Sequence, residues 1–450
     1  MEDITKDTSL KRTLTLPLLI MFGLAYLAPT VVFNYYGIFT ESTGGMYTLA
    51  FAITTVVMLF TAFSYTQMVK AYPRAGSAYT YVNKSVQPHV GFLTGWIMLL
   101  DYLLVPMICY LLLGIYINEF FPAIPVWLIV IVVTALGAII NIIGMKTASI
   151  IDTIIIAAQI CFTLLLIVII AKYVTGGGGT ADLTVSKAVY NPDTFDMGNI
   201  LTASAVLCVS FVGFDAVSTM AEEAKNPDKI MGKAIIGVVV IAGILFIITS
   251  YFTQIAWPTA YAELEDVDAG IFELFPQIGE EWMGNVFFIT DNFASFICAM
   301  AGMAAVSRIL YGMGRDNILP KKFFGRLSPR FQTPLNNILL ASAISLTALF
   351  YQDNLFGAAS LISFGAVTGF FMVNLSVVFH YYIRRNMRGG LNTLKYLIIP
   401  GIGMITLIVV FVNIETTAKI LGSVWLVIGA IYLAFKTKGF KELPPEMNLE

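Results

Sequence analysis

The feature that most constrains this chain is a series of twelve apolar runs, each long enough or nearly long enough to cross a bilayer as a helix. Only 12% of the 450 residues are charged and 58% are hydrophobic, whereas soluble domains carry about 25% charged residues. This composition excludes a secreted domain, a cytosolic enzyme and a disordered scaffold, and it predicts an all-α polytopic membrane protein embedded in a lipid bilayer. The runs lie at 14–39, 46–69, 90–117, 126–144, 150–173, 199–220, 234–257, 285–311, 335–351, 356–382, 396–413 and 419–435.

The basic residues fall very unevenly on the two sides that twelve alternating spans define. With the N-terminus inside, 23 of the 26 lysines and arginines lie in inner segments, and only Lys172, Lys187 and Lys419 lie outside. Positively charged loops stay in the cytoplasm, so both termini are predicted to be cytoplasmic in a multi-pass plasma-membrane protein. The outer side carries 14 acidic residues, seven of them within 263–281. They form either an inert solvated loop or a surface that enriches a cationic solute.

Two spans contain features that interrupt a helix. Pro29 lies in the middle of span 1 and has no N–H to donate, while Gly213 and Asp215 lie in the middle of span 6. Either feature alone would usually mark a kink. Spans 1 and 6 are five spans apart, an odd number, so a repeat of five spans would be inverted in the membrane. Interruptions at matching positions of two inverted halves indicate the central site of a transporter.

Three acidic residues lie well inside the spans: Asp101, Asp215 and Asp291. A charge at that depth costs roughly 2.5–3.5 kcal/mol on insertion scales, and no lysine or arginine lies deep in any span to offset it. Each residue is either a protonated or hydrogen-bonded structural carboxyl or a functional group. Asp215 stands beside the interruption, which favours a function, and Asp291 stands nearer the outer end of its span, where a role at the entrance is open. An unpaired carboxylate in a cavity suits a cationic solute or a proton.

Aromatic residues stand at the same depth and are candidates to offer ring faces to an ammonium group, although aromatics at this spacing more often serve packing. They are Tyr26, Tyr102, Phe211 and Phe214. At the inner end of span 6, Glu222 and Glu223 lie on the same side as Arg74, and together they predict a closing ion-pair gate; the alternative is that these charges reflect the positive-inside bias alone.

Nothing in the sequence indicates catalysis. The four cysteines lie in apolar runs, the two histidines are far apart, and the glycines at 176–179 are not followed by the Gly-Lys-Ser/Thr of a phosphate-binding loop. No cofactor, metal or nucleic-acid partner is therefore predicted. Interrupted helices in inverted halves favour a carrier over a channel, a receptor or a membrane-embedded enzyme.

Several motifs, taken in order along the chain, resemble the amino acid–polyamine–organocation superfamily of secondary transporters. The motifs are the segments 72–79, 141–146, 213–215, 222–227, 307–320 and 333–334. Three further segments are similar to the subgroup of bacterial putrescine importers: 23–29, 100–107 and 337–345.

This resemblance implies a leucine-transporter-type fold. It comprises a five-plus-five inverted repeat with helices 1 and 6 broken, two extra helices, alternating access, and a substrate site between spans 1, 3, 6, 8 and 10. The corresponding segments are a cytoplasmic tail at 1–13, the first repeat at 14–173, an extracellular loop at 174–198, the second repeat at 199–382, helices 11 and 12 at 383–435, and a cytoplasmic tail at 436–450.

Two departures from the family pattern bear on the substrate and on coupling. Amino acid carriers of the superfamily bind the substrate carboxylate through a small glycine motif, where this chain has Ala28 and Thr30 on either side of Pro29. A diamine, which has no carboxylate, would tolerate this change, although the hydroxyls of Tyr26 or Thr30 are alternative carboxylate ligands. Many proton-coupled relatives carry a lysine in span 5 where this chain has Gln159, which cannot titrate.

A coupling proton would then use Asp101, Asp215 or Glu222. Alternatively, uptake is driven by the membrane potential, which favours a divalent amine by about 4.6 kcal/mol per 100 mV, or by substrate exchange.

The sequence thus predicts a symporter or potential-driven permease that imports a polyamine, with putrescine as the leading candidate. The alternative is an amino acid permease or an amino acid/amine antiporter on the same fold. The predicted substrate-binding residues are Tyr26, Ala28, Pro29, Thr30, Asp101, Tyr102, Phe211, Gly213, Phe214 and Asp215. The predicted coupling or gating residues are Gln159, Glu222, Glu223, Arg74 and Asp291.

Overall fold

The computed structural model of the chain describes residues 14–73, 77–143, 149–180, 188–222, 224–315 and 317–444. Regular secondary structure in these residues is helical, which is the form in which a membrane-embedded backbone satisfies its own hydrogen bonds. The one strand-like pairing among them joins Leu14 to Ala224, with the amide of Lys225 donating to the carbonyl of Leu14 at 2.8 Å. This pairing ties the start of the first span to the end of the sixth.

Twenty α-helices follow one another in the described residues. They are α1 (Leu16–Leu27), α2 (Val31–Asn34), α3 (Tyr36–Ser42), α4 (Tyr47–Ala71), α5 (Ser77–Ser85), α6 (Pro88–Phe120), α7 (Val126–Ile143), α8 (Ser149–Thr175), α9 (Met197–Leu207), α10 (Ala216–Thr219), α11 (Pro227–Ala256), α12 (Ala260–Glu263), α13 (Ile271–Gln277), α14 (Glu281–Arg315), α15 (Lys321–Phe324), α16 (Leu335–Ser345), α17 (Leu355–Val377), α18 (Gly390–Thr393), α19 (Ile399–Val412) and α20 (Thr416–Lys436).

Short stretches of other helix types extend several of these elements. A 3-10 helix at Cys208–Phe211 follows α9, and another at Leu346–Phe350 follows α16. π-Helical turns at Val378–Arg384 and Leu394–Ile398 follow α17 and precede α19.

Ten helical segments of the described residues are long and apolar enough to cross a membrane. They are Tyr47–Ala71, Pro88–Phe120, Val126–Ile143, Ile154–Thr175, Met197–Ser218, Pro227–Ala256, Glu281–Arg315, Leu355–Arg384, Gly390–Val412 and Thr416–Lys436. Two further apolar regions where spans were predicted are shorter or interrupted. The first consists of α1, α2 and α3, and the second is the short helix Leu335–Phe350.

The spans divide into central and peripheral helices. The apolar windows of Pro88–Phe120 and Leu355–Arg384 are 83% and 78% buried, whereas those of Gly390–Val412 and Thr416–Lys436 are only 22% buried. Peripheral apolar surface of this kind is what a lipid-facing helix presents. The central helix α6 contacts the peripheral α20 through two tryptophans, Trp96 and Trp425, whose rings stack with centroids 4.8 Å apart.

Candidate functional site

The first interruption of a helix lies between α1 and α2, at the position that was predicted from Pro29. The helix ends at Leu27, and Ala28 adopts a left-handed conformation with φ of 51°, which costs an L-residue roughly 1–2 kcal/mol. The chain then turns back into helix, with the amide of Val31 donating to the carbonyl of Ala28 at 2.9 Å. Ala28 thus takes a backbone conformation that glycine adopts without strain.

The second interruption separates α9 from α10 and contacts the first. Gly213 has a φ of 120°, and a Cβ atom there would lie 2.3 Å from Cδ1 of Tyr26. Glycine is required both for the backbone angle and for this close approach. The freed amide of Gly213 donates to Oδ1 of Asp215 at 3.1 Å, so the unwound backbone holds the carboxylate beside the first span.

A small cavity lies where the two interruptions meet the central helix α6. Its volume of about 10 Å³ is enough for roughly one water molecule, so the site is closed in this conformation. Among the described residues, two carboxylates line it and no lysine or arginine does. The lining residues are Tyr26, Met98, Asp101, Tyr102, Val105, Val212, Gly213, Asp215 and Ala216.

The two carboxylates in this cavity differ in how they are satisfied. Asp215 is 5% exposed and accepts the Gly213 amide. Asp101 is 6% exposed, and its Oδ1 is buried without a hydrogen-bond partner among the described residues. Gly365 of α17 leaves the space for that oxygen, because a Cβ atom at Gly365 would lie 2.0 Å from it. An unsatisfied carboxylate oxygen in a water-poor site is costly unless a ligand, a water or a proton meets it.

A separate polar network joins the first interruption to α8 and α14. Gln159 donates from Nε2 to Oγ1 of Thr30 at 2.6 Å, and Thr30 donates from Oγ1 to Oδ1 of Asp291 at 2.7 Å. Ser295 donates more weakly to Oδ2 of Asp291 at 3.5 Å. Asp291 is only 2% exposed. Contacts between α2 and α14, such as that of Phe33 with Phe287, help to bury it. A role for Asp291 at the entrance stays a prediction.

The structure separates the predicted substrate-binding residues into two groups. Tyr26, Asp101, Tyr102, Gly213 and Asp215 share the cavity, whereas Ala28, Pro29, Thr30, Phe211 and Phe214 do not line it. Phe211 meets Phe246 edge to face with ring centroids 5.4 Å apart. Phe214 packs between Tyr65 at 5.3 Å and Phe370 at 5.2 Å. These two phenylalanines serve packing between helices, which is the role that aromatics at helical spacing usually have.

Several cavity residues were missed by sequence reasoning. Met98 and Val105 lie three residues before Asp101 and three after Tyr102, so all four lie on one face of α6. That spacing alone could have identified them. Gly365 gave no such signal, since its relation to Asp101 depends on how α17 packs on α6.

The predicted ion-pair gate falls largely outside the structure's described part. Arg74 and Glu223 lie outside the described residues, and Glu222 is the last residue of a 3-10 helix, Met220–Glu222. The gate therefore stays a prediction. Among the described residues, no group of three or more His, Cys, Asp or Glu side chains could hold a metal ion.

Comparison of the sequence with known proteins identifies its family. The family model described as amino acid permease matches residues 19–439. The low-affinity putrescine importer PlaP of Escherichia coli (strain K12) is 36% identical to the chain over 448 residues, covering 99% of this chain and 98% of that protein.

More distant relatives also match most of the chain. The branched-chain amino acid permease BcaP of Bacillus subtilis (strain 168) is 23% identical, covering 97% of this chain and 95% of the relative. The methylthioribose transporter of the same organism is 24% identical, covering 83% of this chain and 82% of the relative. On the extent of the family match and on the near-complete 36% relative, the chain belongs to the amino acid permease family.

Proposed function

We propose that this protein is a secondary transporter that imports a polyamine, with putrescine as its leading substrate, across the plasma membrane by alternating access. The observation that carries the proposal is the pair Asp101 and Asp215, which share one cavity between two interrupted helices with no lysine or arginine lining it. A diamine brings two ammonium groups and no carboxylate, so it supplies the positive charge that this cavity lacks. Tyr26 and Tyr102 add ring faces beside the same carboxylates.

The comparisons support a polyamine more than an amino acid. The relative at 36% identity is named as a putrescine importer, while the branched-chain amino acid permease is at 23%. The backbone at Ala28 points the same way. The resemblance implies that amino acid carriers of the superfamily present free amides from glycines there, whereas Pro29 has no amide and the amide of Val31 is already donated to the carbonyl of Ala28.

The proposed architecture has twelve spans with both termini in the cytoplasm. The ten long helices are joined by the interrupted segment α1–α3 as span 1 and by Leu335–Phe350 as span 9. In this scheme residues 14–173 and 199–382 are two inverted five-helix repeats, and α19 and α20 belong to helices 11 and 12. The interruptions at Ala28 and Gly213 then occupy equivalent positions in the two halves.

The closed cavity implies that substrate binding requires a rearrangement. A volume of about 10 Å³ holds a water molecule but no diamine. Binding must therefore widen the space between α6 and the interrupted helices. Arg74, Glu222 and Glu223 are the proposed inner gate.

Asp291 is the proposed site of the coupling proton. Gln159 and Thr30 connect it to span 1 and α8, and Asp291 is the one group of these three that can change its charge. Protonation of Asp291 would weaken the charge-assisted hydrogen bond from Thr30 and so bias the outer part of span 1, α2 and α3, which carries Thr30 at its start.

Uptake of labelled putrescine into proteoliposomes tests the function. We expect saturable uptake that unlabelled diamines block and amino acids do not, stimulated by an inside-negative voltage or an acid-outside pH gradient. Uptake of an amino acid instead of putrescine would retain the family and overturn the substrate, in favour of an amino acid permease or amino acid/amine antiporter.

Substitution of the central carboxylate tests the site. Asp215→Asn should lower putrescine uptake about a hundredfold or more, since loss of a buried charged partner costs 2–5 kcal/mol. The exposed Asp193→Asn is the matched control and should transport normally. An Asp215→Asn protein that elutes as the wild type does and still transports at the wild-type rate would contradict the assignment.

A further inference from the structure

A second, much larger cavity lies away from the central site, on the flank of the bundle. Its volume is about 790 Å³, and it lies between α4, α11 and the two π-helical turns near residue 380 and residue 396. We call it the lysine cavity. Its charged lining residues are Lys70, Asp228, Lys229, Lys233 and Lys395.

The charge in the lysine cavity is strongly unbalanced. Four lysines from three different elements line it, and among the described residues that line it Asp228 is the one acidic residue. No ion pair or hydrogen bond joins the side chains of Lys70, Lys229, Lys233 or Lys395 to any residue in the part of the chain that the structure describes. Like charges close together repel one another unless an anion lies between them. Binding of an anion in the lysine cavity is therefore electrostatically favoured.

Apart from the polar residues Thr66 and Gln67 and two glycines, the rest of the lining is apolar or aromatic. Phe63, Ile236 and Val240 continue the cavity along the helices, away from the lysines. Tyr381 and Tyr396 form one wall, with rings stacked 4.4 Å apart at an interplanar angle of 11°. A small soluble anion would need the lysines alone, whereas a molecule with an anionic head and a hydrocarbon body would use both parts of the cavity.

Irregular helix geometry shapes this wall. Tyr381 lies in the π-helical turn Val378–Arg384, and Lys395 and Tyr396 lie in the turn Leu394–Ile398. π-Helical turns are rare and are frequent at functional sites. Tyr381 is also held in place, because its hydroxyl donates to the carbonyl of Gln67 at 3.1 Å. Two neighbouring π turns thus bring an aromatic pair and a lysine to one cavity.

We propose that the lysine cavity binds the phosphate headgroup of an anionic phospholipid, with the acyl chains lying along Phe63, Ile236 and Val240. Basic pockets between membrane helices on the cytoplasmic side bind such headgroups by charge, at about 1 kcal/mol for each lysine near the surface. The location in the inner leaflet rests on the proposed orientation of the chain, while the binding itself does not. The lipid would join α4 and α11, which flank the interrupted helices, to the end of α17.

Lipid binding to the full-length purified protein tests the proposal. The protein is depleted of lipid in detergent and titrated with phosphatidylglycerol, with phosphatidylcholine, and with glycerol phosphate, which has the phosphate but no acyl chain. The readouts are native mass spectrometry and the shift of the thermal unfolding temperature. We expect phosphatidylglycerol to bind and stabilise, and the other two to have little effect.

Substitutions assign that binding to the cavity. Lys229→Gln, Lys233→Gln and Lys395→Gln combined should weaken phosphatidylglycerol binding about a hundredfold, at about fivefold for each lysine. A control with the same charge change combines Lys321→Gln, Lys322→Gln and Lys441→Gln, which lie outside the cavity; it should bind within about threefold of wild type. The corresponding three arginine substitutions keep the charge and should retain binding.

Each other result overturns part of the proposal. Equal weakening in the control would show general surface electrostatics, and equal binding of phosphatidylcholine would show that the headgroup charge is irrelevant. Full stabilisation by glycerol phosphate would assign the cavity to a free phosphate compound. If the triple glutamine variant does not fold, Lys233→Gln alone should still show its fivefold loss, and wild-type affinity in that variant would contradict the proposal.

Discussion

Two groups of buried carboxylates lie beside the interrupted first span, and they are satisfied in opposite ways. In the network of α8 and α14, Asp291 accepts a hydrogen bond from the hydroxyl of Thr30 at 2.7 Å, and that hydroxyl accepts one from the side-chain amide of Gln159. In the cavity, Asp101 keeps one oxygen without any partner among the described residues, and Asp215 is held by a backbone amide. Both groups are nearly inaccessible to solvent.

The difference indicates which carboxylates face a ligand. A buried carboxylate that its own chain saturates can stay in place through a transport cycle and respond to a proton. A buried carboxylate that its chain leaves open is stable only when something else supplies the missing hydrogen bond or charge. The comparison therefore favours the proposal that a cationic substrate binds at Asp101, with Asp215 beside it, and that Asp291 carries the coupling proton. Substitutions can test both proposed roles.

The first test adds a methyl group next to Oδ1 of Asp101, the carboxylate oxygen that has no hydrogen-bond partner among the described residues. Gly365→Ala puts a Cβ atom 2.0 Å from Oδ1 of Asp101, so the carboxylate must move. Losing a charge-assisted hydrogen bond costs about 1.5–3 kcal/mol, so we expect the putrescine concentration for half-maximal uptake to rise about 10- to 100-fold.

The matched control lies one turn further along the same helix. At Gly369 the nearest atom to an added Cβ is Cγ of the flexible Met98 side chain, at 3.1 Å. Gly369→Ala should therefore transport within about threefold of wild type. Equal effects of the two alanines would mean that α6–α17 packing, not the Asp101 carboxylate, determines affinity.

The second test separates coupling from binding. Asp291→Asn keeps an oxygen to accept from Thr30 but cannot bind and release a proton at working pH. We expect uptake driven by an acid-outside pH gradient to fall about tenfold, while uptake driven by an imposed voltage stays within about threefold of wild type. Ser295→Ala, which removes only the 3.5 Å contact, is the control. An Asn variant that still responds fully to the pH gradient would remove Asp291 from coupling.

The third test measures the stability that the network contributes. Thr30→Val removes the hydroxyl that links Gln159 to Asp291 and leaves both side chains without that partner, at a cost of about 1–3 kcal/mol. Thr30→Ser keeps the hydroxyl. We expect the valine variant to unfold at a lower temperature in detergent than the serine variant, and an identical unfolding temperature for the two would show that the hydrogen bonds contribute little.

The helix interruptions and the position of α20 could be predicted from the sequence, because each depends on residues within the same short segment. Pro29 cannot donate a helical hydrogen bond, and Gly213 accepts a backbone angle that other residues resist, so both interruptions were predicted where the helices break. The run at 419–435 likewise predicted α20 at Thr416–Lys436. Apolar length alone defined that helix.

Contacts between distant elements were not readable. Thr30 and Asp291 are 261 positions apart and Thr30 and Gln159 are 129 apart, so their network depends on how α2, α8 and α14 pack. The direction of side chains at an irregular segment is equally hidden. Phe211 and Phe214 flank Gly213 in sequence, yet they point to Phe246 and to Phe370, because the 3-10 turn breaks the helical periodicity that would have fixed their faces.

A partly buried carboxylate between the long helices should make the stability of the protein depend on pH. Asp268 lies in the acidic segment 263–281, half-buried against the start of α17, where the amide of Leu355 donates to its Oδ2 at 3.5 Å. Burial raises the pKa of Asp268 from 3.8 to about 6, with smaller contributions from Asp266, Asp353 and Glu41, while the Leu355 amide opposes the shift.

Because the pKa in the folded protein lies above that in the unfolded chain, the folded state binds the proton more tightly, and ionised Asp268 destabilises the fold. Its effect is nearly absent below about pH 3.5 and grows to almost its full size above about pH 6. Asp268→Asn should therefore raise the unfolding temperature at pH 7.5, by the equivalent of about 1–2 kcal/mol, and leave it nearly unchanged at about pH 3.5. An Asp268→Asn protein whose advantage is the same at both pH values would show that the long Leu355 contact, and not desolvation, decides how this carboxylate acts on stability.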